Sequence, residues 1–339
     1  MGNKLDKPIT NKTSFDGENE MIKYGMSEMQ SFKNSMELFT LKNTNLLEQN
    51  KKISLFGIFD GHNGSEISKY LSLHFSQFLS ENKKFINGDY KQALKETFIN
   101  IDNSLRALEV QKEISRYSTK NSLNFSELNL KEEENKNISN FLELFEPRNL
   151  EGANIAEFSG SCGIIVLVTD KSVFIANSGN SKCIPINIKN EIMKDKINKE
   201  HIITDQNEIN RLKLAYGFVE EENDNIFDIN ETNEKIKFKP INYCPLIIIR
   251  GFGDLIYKDI KLIKQEDQYI SVNPDIIEVP IDELGYMIIG NNEVFDETID
   301  NNTINVDENN ENRSAKESEN KINDKNNKNE DEVEEEENQ

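Results

Sequence analysis

Basic side chains are in short supply: 40 Lys and Arg face 61 Asp and Glu in 339 residues, a formal net charge of −21. Affinity for a phosphate backbone rests on a basic surface, which argues against a nucleic-acid reader. Long apolar runs are missing as well. None approaches the roughly 18 residues of a membrane-spanning helix, and the N-terminus carries no hydrophobic signal segment. The expectation is a soluble, non-secreted, cytoplasmic protein. Cysteine is sparse too. Cys162, Cys183 and Cys244 form no metal-spaced pair, and three is an odd count for a disulfide framework, so reduced thiols are expected. Residues 301–339 hold 13 acids, 5 bases and only five apolar side chains, too few to fold alone. The remaining chain, about 300 residues, is enough for one large domain or two small ones.

What is present reads as follows. Residues 1–20 form a polar, loop-like segment. The run from Ile53 to Asp60 predicts a buried strand that stops at the turn-forming Gly61-His62-Asn63-Gly64. Ile67, Tyr70, Leu71, Phe75, Phe78 and Leu79 fall on one face of a helix, and Leu94, Phe98, Ile101, Leu105 and Leu108 on one face of a second. Residues 111–157 are rich in Glu, Asn, Lys and Ser and read as a surface insert in which Phe141, Leu142, Leu144 and Phe145 pack locally. Cys162–Val168 and Val173–Ala176 flank the polar turn Thr169-Asp170-Lys171, which predicts an antiparallel hairpin. Leu246–Ile249 and Tyr286–Ile289 have strand length, and residues 189–244 mix a helix around Ile209, Leu212 and Leu214 with a flap-like stretch. Strands and helices without regular alternation indicate an α+β layered fold.

A series of collinear motifs goes further. Met1-Gly2-Asn3-Lys4-Leu5-Asp6-Lys7-Pro8 opens the chain, and Tyr24-Gly25-Met26-Ser27-Glu28-Met29-Gln30 reads as a first strand. Phe56-Gly57-Ile58-Phe59-Asp60-Gly61-His62-Asn63-Gly64, Ser159-Gly160-Ser161-Cys162-Gly163 and Ile175-Ala176-Asn177-Ser178-Gly179-Asn180-Ser181-Lys182 follow. Then come Ala215-Tyr216-Gly217-Phe218-Val219, Ile249-Arg250-Gly251-Phe252-Gly253-Asp254 and Ile288-Ile289-Gly290-Asn291-Asn292-Glu293-Val294-Phe295-Asp296. In this order they resemble the type 2C metal-dependent Ser/Thr protein phosphatases, the PPM family. The resemblance implies a four-layer α-β-β-α sandwich of two antiparallel sheets over residues 21–300, with the family's last elements truncated before the acidic tail. It also implies a binuclear Mg²⁺ or Mn²⁺ centre that generates a hydroxide nucleophile and clamps the phosphoryl oxygens of phosphoserine or phosphothreonine.

On this resemblance Asp60 stands at the bridging ligand, Gly61 offers its carbonyl, and Glu37 survives from an acidic pair whose second member is Leu38. Asn180 and Asn292 replace two further Asp ligands. An amide keeps an oxygen donor but loses the charge that offsets repulsion between two dications, so metal binding should be severely weakened. Lys33 takes the place of the phosphate-holding Arg without its bidentate fork. His62 sits where the family's general acid for the leaving alkoxide belongs. Asp300, in Asp300-Asn301-Asn302-Thr303-Ile304, resembles a last ligand. Asn63 and Glu293 add side chains where the family has glycine. His74, His201, Arg250 and Asp254 are expected in structural pairings, and the acidic run near the C-terminus in solvation. Gly2 is an N-myristoylation candidate, but Asp6 occupies the position that wants Ser or Thr, so acylation is not expected.

The resulting expectation is an impaired type 2C phosphatase, a pseudophosphatase that acts by binding a phosphoprotein or signalling partner. Two alternatives stand beside it: an active Mg²⁺- or Mn²⁺-dependent Ser/Thr phosphatase, and a non-enzymatic interaction module using the insert at 111–157 and the tail.

Overall fold

The computed structural model describes residues 5–47, 52–118, 154–202, 205–215, 218–219, 227–229, 236–238, 248–258 and 263–295. The strands are β1 (Ile9–Glu18), β2 (Lys23–Ser31), β3 (Leu38–Asn43), β4 (Ser54–His62), β5 (Gly160–Val168), β6 (Ser172–Ser178) and β7 (Lys182–Asn187). They continue with β8 (Phe218–Val219), β9 (Phe227–Ile229), β10 (Ile236–Phe238), β11 (Phe252–Gly253), β12 (Asp275–Pro280) and β13 (Leu284–Gly290). The helices that build the core are α1 (Glu66–Ser80), α2 (Lys83–Ile86), α3 (Tyr90–Ser104) and α4 (Leu108–Ser115).

One antiparallel sheet, ordered β12-β6-β5-β4-β3 with β11 on the edge of β5, organises the domain. Its central strand β5 is buried at every position, so it needs apolar residues on both faces, and Ile164, Ile165, Val166, Leu167 and Val168 meet that need. Alternation then sorts side chains between two cores. Leu55, Phe59, Ile165, Leu167, Phe174 and Ala176 face α1 and α3, whereas Phe56, Ile164, Val166, Val173 and Ile175 face the other way. On the helix side, Phe59, Phe75, Phe98 and Phe252 form a ladder of ring contacts at 5.9, 5.3 and 5.0 Å from Phe59–Phe75 through Phe98–Phe252. All four are fully buried, each worth about 1.5–3 kcal/mol of transfer free energy.

The opposite core is closed by Tyr24 of β2, Cys183 of β7 and Met287 and Ile289 of β13, with β7 and β13 paired antiparallel and β1 paired with β2. Tyr24 meets Phe56 at 5.1 Å between ring centroids. This is the α+β arrangement of antiparallel sheets expected from the sequence. The outward side chains of β13, Tyr286 and Ile288, are about half exposed. Strands β8, β9 and β10 make a small separate antiparallel sheet within the stretch read as a flap, and helix Gln206–Leu214 falls where Ile209, Leu212 and Leu214 placed it. Residues to Asn291 form one compact unit, and Asn292–Gln339 a second.

Several local expectations need correction. The N-terminal segment is not loop-like: Ile9–Glu18 forms an edge strand whose residues are almost all exposed, so its polar composition hid the pairing with β2. The second helix ends at Ser104, and Leu108 starts the next helix with 58% of its surface exposed, outside the apolar stripe. Ile248 and Ile249 are not in a strand. Ile249 is buried beside an isolated bridge from Arg250 to Ser271, with its carbonyl accepting the Arg211 guanidinium at 2.9 Å. The insert begins and ends in structure, with Ile114 of α4 and Ala156 of the short helix Ile155–Phe158 buried. Phe141, Leu142, Leu144, Phe145, Cys244, Leu246, Asp300 and the acidic tail lie outside the described residues.

Candidate active site

Strand β4 delivers the central carboxylate. Phe59 and Gly61 point to the helices, so Asp60 between them points to the opposite core, directly across from Leu38 of β3 and Cys162 of β5. Asp60 Oδ1 accepts the Lys33 ammonium at 2.7 Å, and Oδ2 accepts the Asn291 side-chain amide at 3.0 Å. The Asp60 side chain is only 11% exposed. Lys33 comes from the turn between β2 and β3, and Asn291 from the residue after β13, so three separate segments meet at this carboxylate.

Glu37 approaches from the start of β3. Its Oε1 accepts the Gly64 N–H at 3.1 Å, and its backbone carbonyl accepts Gly61 N–H at 3.1 Å and Ser68 Oγ at 2.5 Å. Burial raises the Glu37 carboxyl pKa, with Asp60 adding to the rise, and this outweighs the lowering by Lys33, the Gly64 N–H and His62. Gly61 must be glycine here: an added Cβ would lie 2.7 Å from the Glu37 carbonyl oxygen and 2.8 Å from Ser68 Oγ.

His62 ends β4 and contacts Asp254 Oδ2 through Nε2 at 2.7 Å. Burial opposes its positive charge, but Asp254, helped by Asp60 and Glu37, outweighs burial and raises its pKa above the ordinary imidazole value. Its Nδ1 is buried without a hydrogen-bond partner among the described residues. Asp254 holds a left-handed backbone, φ 49°, after Gly253 at φ 72°, and its N–H donates to Ser159 O at 3.0 Å. Beneath it, buried Asp102 of α3 accepts Gly253 N–H at 2.8 Å and both its oxygens take Lys258 Nζ at 2.9 Å. Lys258 also donates to Gly251 O at 2.7 Å, so a buried ion pair fixes the backbone that aims Asp254.

A second charged network lies beside the first. Glu208 accepts Arg211 Nε at 2.9 Å and Arg250 Nη2 at 2.5 Å, while Arg250 Nη1 lies 3.5 Å from Asp275. His201 Nδ1 accepts Gly179 N–H at 3.1 Å, and its Nε2 lies 3.2 Å from Asp275. The network thus grips Gly179, φ 126°, in the turn that carries Asn180. Asn180 is buried, and its backbone reaches the Cys162 thiol, which burial pushes up to about 12. Cys162 and Cys183 are both free and buried. His74 contacts Glu113 at 2.6 Å, far from these groups in the fold, between α1 and α4.

The structure therefore brings together Lys33, Glu37, Asp60, Gly61 and His62 of the sequence-predicted set. Asn180 sits on an adjoining turn, Asn292 begins a short turn, Asn292–Val294, in the second unit, and Asp300 is not among the described residues. Sequence reasoning missed Asn291, Asp102 and Lys258. The asparagine pair Asn291-Asn292 held a clue, since either could fill a motif position. Asp102 hid in a helical pattern, where only a polar residue inside an apolar stripe marked it.

The described residues do not fit a binuclear metal site. Among the described residues no three His, Cys, Asp or Glu side chains are arranged to hold a metal ion. Leu38 and Asn180 bring no charge, and both oxygens of Asp60 are engaged by protein donors.

The protein phosphatase 2C family model matches residues 22–117 and 108–330. The chain is 27% identical to the probable protein phosphatase 2C 4 of Paramecium tetraurelia over 301 residues, 88% of this chain and 81% of that protein. It is 25% identical to the probable protein phosphatase 2C 21 of Arabidopsis thaliana over 87% of this chain and 78% of that one. The solved serine-threonine phosphatase 2C from Toxoplasma gondii aligns with a TM-score of 0.49 and 15% identity, covering 86% of this chain and 82% of that one.

Proposed function

The chain belongs to the protein phosphatase 2C family, and we propose that it is a catalytically impaired member, a pseudophosphatase that acts by binding a phosphoprotein or signalling partner. The family is generally Mg²⁺- or Mn²⁺-dependent. The observation that carries the reading is the depletion of negative charge around Asp60. Of the carboxylates the family motif calls for, Asp60 and Glu37 remain within the described site, and the Glu37 carboxyl is itself pushed toward its neutral form by burial. Two dications a few ångströms apart need several anionic oxygens to offset their repulsion, and this site offers two carboxylates, Asp60 and Glu37.

One observation favours the rival, an active Mn²⁺-dependent Ser/Thr phosphatase of low turnover. His62 remains paired with Asp254 and has a raised pKa, the state suited to protonating a leaving alkoxide. Titrating the full chain with Mn²⁺ by calorimetry, alongside aryl phosphate hydrolysis, separates the two. The impaired reading expects no binding heat and no turnover. Micromolar binding of two ions, with turnover lost in Asp60→Ala, would establish the enzyme instead.

A further inference from the structure

We propose that the Lys33 ammonium is the resident cation of this centre, holding Asp60 where a divalent ion would sit and closing the site to Mg²⁺ and Mn²⁺. The inference rests on the impaired reading and goes beyond it: loss of ligands alone leaves a weak site, whereas a tethered cation makes a filled one.

Three observations support it. The two Asp60 oxygens are divided between Lys33 Nζ at 2.7 Å and Asn291 Nδ2 at 3.0 Å, so the carboxylate has its charge compensated and both oxygens satisfied within the protein. Lys33 is presented rather than merely nearby: its carbonyl accepts Gln30 Nε2 at 2.9 Å and its N–H reaches Gln30 O at 3.4 Å, which fixes the turn that carries it. Asn291, 6% exposed, turns its N–H₂ group toward Asp60, so a donor rather than a ligand oxygen faces the place a cation would occupy. An entering dication would meet a positive charge at contact range and would have to expel a side chain whose effective concentration is set by its own backbone.

The test uses the full chain with Lys33→Met, which keeps the aliphatic stem and removes the charge, and Lys33→Gln, which also keeps a donor for Asp60. Mn²⁺ binding is read from loss of the electron paramagnetic resonance signal of aqueous Mn²⁺, and stability from thermal melts in chelator and in Mn²⁺. The parent protein should melt at the same temperature in both buffers and leave the Mn²⁺ signal intact. Lys33→Met should melt about 3–6 °C lower in chelator, recover most of that loss with Mn²⁺, and bind Mn²⁺ at least about tenfold more tightly than the parent. Lys33→Gln should show the same gain in Mn²⁺ affinity with a smaller drop in melting temperature, and it alone decides the matter should the Met variant fail to fold. If neither variant binds Mn²⁺ better than the parent, or Lys33→Met melts like the parent in chelator, Lys33 is not the resident cation, while the impaired reading stands. Micromolar binding of two Mn²⁺ by the parent would overturn both.

Discussion

Removing the Lys258 ammonium should damage the domain more than removing any surface charge, because the partner it leaves behind has nowhere to go. Asp102 is fully buried and Lys258 is 6% exposed. In Lys258→Met the Asp102 carboxylate keeps one donor, Gly253 N–H at 2.8 Å, and loses both ammonium contacts at 2.9 Å. Breaking one side of a buried ion pair typically costs 3–5 kcal/mol, most of it the penalty of an uncompensated charge. At roughly 2 °C per kcal/mol for a domain of this size, the melting temperature should fall by about 6–10 °C. Burial lowers the Lys258 pKa despite the pull of Asp102, the mark of a pair whose desolvation is expensive. The double variant Asp102→Leu/Lys258→Met should therefore recover most of the loss, since it removes both charges at once. Thermal and urea melts of the two variants measure this directly. A single variant within about 1 kcal/mol of the parent, or a double variant no better than the single one, would refute the reasoning.

Two further outcomes follow from the same geometry. Gly160→Ala would put a methyl group 2.6 Å from His62 Nε2 and closer still to Asp254 Oδ2, so the pair must separate; a cost of about 1–3 kcal/mol is expected in thermal melts, and a melt like the parent's would mean the two side chains have room to spare. Glu208 has a lowered pKa because its bonds to Arg250 and Arg211 outweigh its burial, and Asp275 has one chiefly because of His201. Carboxyls depressed in the folded state stabilise it fully above their unfolded values, 4.5 and 3.8, and lose that contribution as pH falls through the folded values. Melting temperature should thus drop steeply below about pH 4, and Glu208→Gln should be less stable than the parent at neutral pH with a shallower acid limb. An acid limb of unchanged slope in that variant would show that other carboxyls carry it.

The sandwich was legible wherever burial on both faces forced a pattern onto the chain. Strand β4 and the β5–β6 hairpin could be read because their residues are apolar on both sides and end at residues that turn, and α1 and α3 because one stripe must meet the sheet. Strand β1 could not be read: an edge strand exposed on both faces is under no such pressure, and its pairing with β2 is made by backbone groups that any residue carries. The same rule explains Leu108, apolar by type yet exposed, where helical spacing continued past the point at which the backbone turned.

The site divides along a similar line. Motif order nominated Asp60, Glu37 and His62 as candidates, because each is tied to a local backbone feature, the end of β4 or the start of β3. What those side chains touch is a matter of long-range pairing. Lys33 lies 27 residues from Asp60, Asn291 lies 231 away, and His62 finds Asp254 across 192. A substitution such as Leu38 can be read as one lost negative charge, but the charge balance of a site depends on which cations the fold carries to it. That balance is where the chemistry is decided. With a dication, Asp60 would need more carboxylates beside it. With a monovalent ammonium and an amide, a single aspartate is already matched, so each further carboxylate lost from the surroundings removes repulsion rather than support. The replacements at 38 and 180 are thus consistent with the Lys33–Asp60 pair as a set, and restoring Asn180→Asp alone should leave Mn²⁺ affinity unchanged while Lys33 is in place. Calorimetric titration of that variant checks the point, and a micromolar Mn²⁺ site appearing in it would show that ligand number, not the resident ammonium, keeps the metal out.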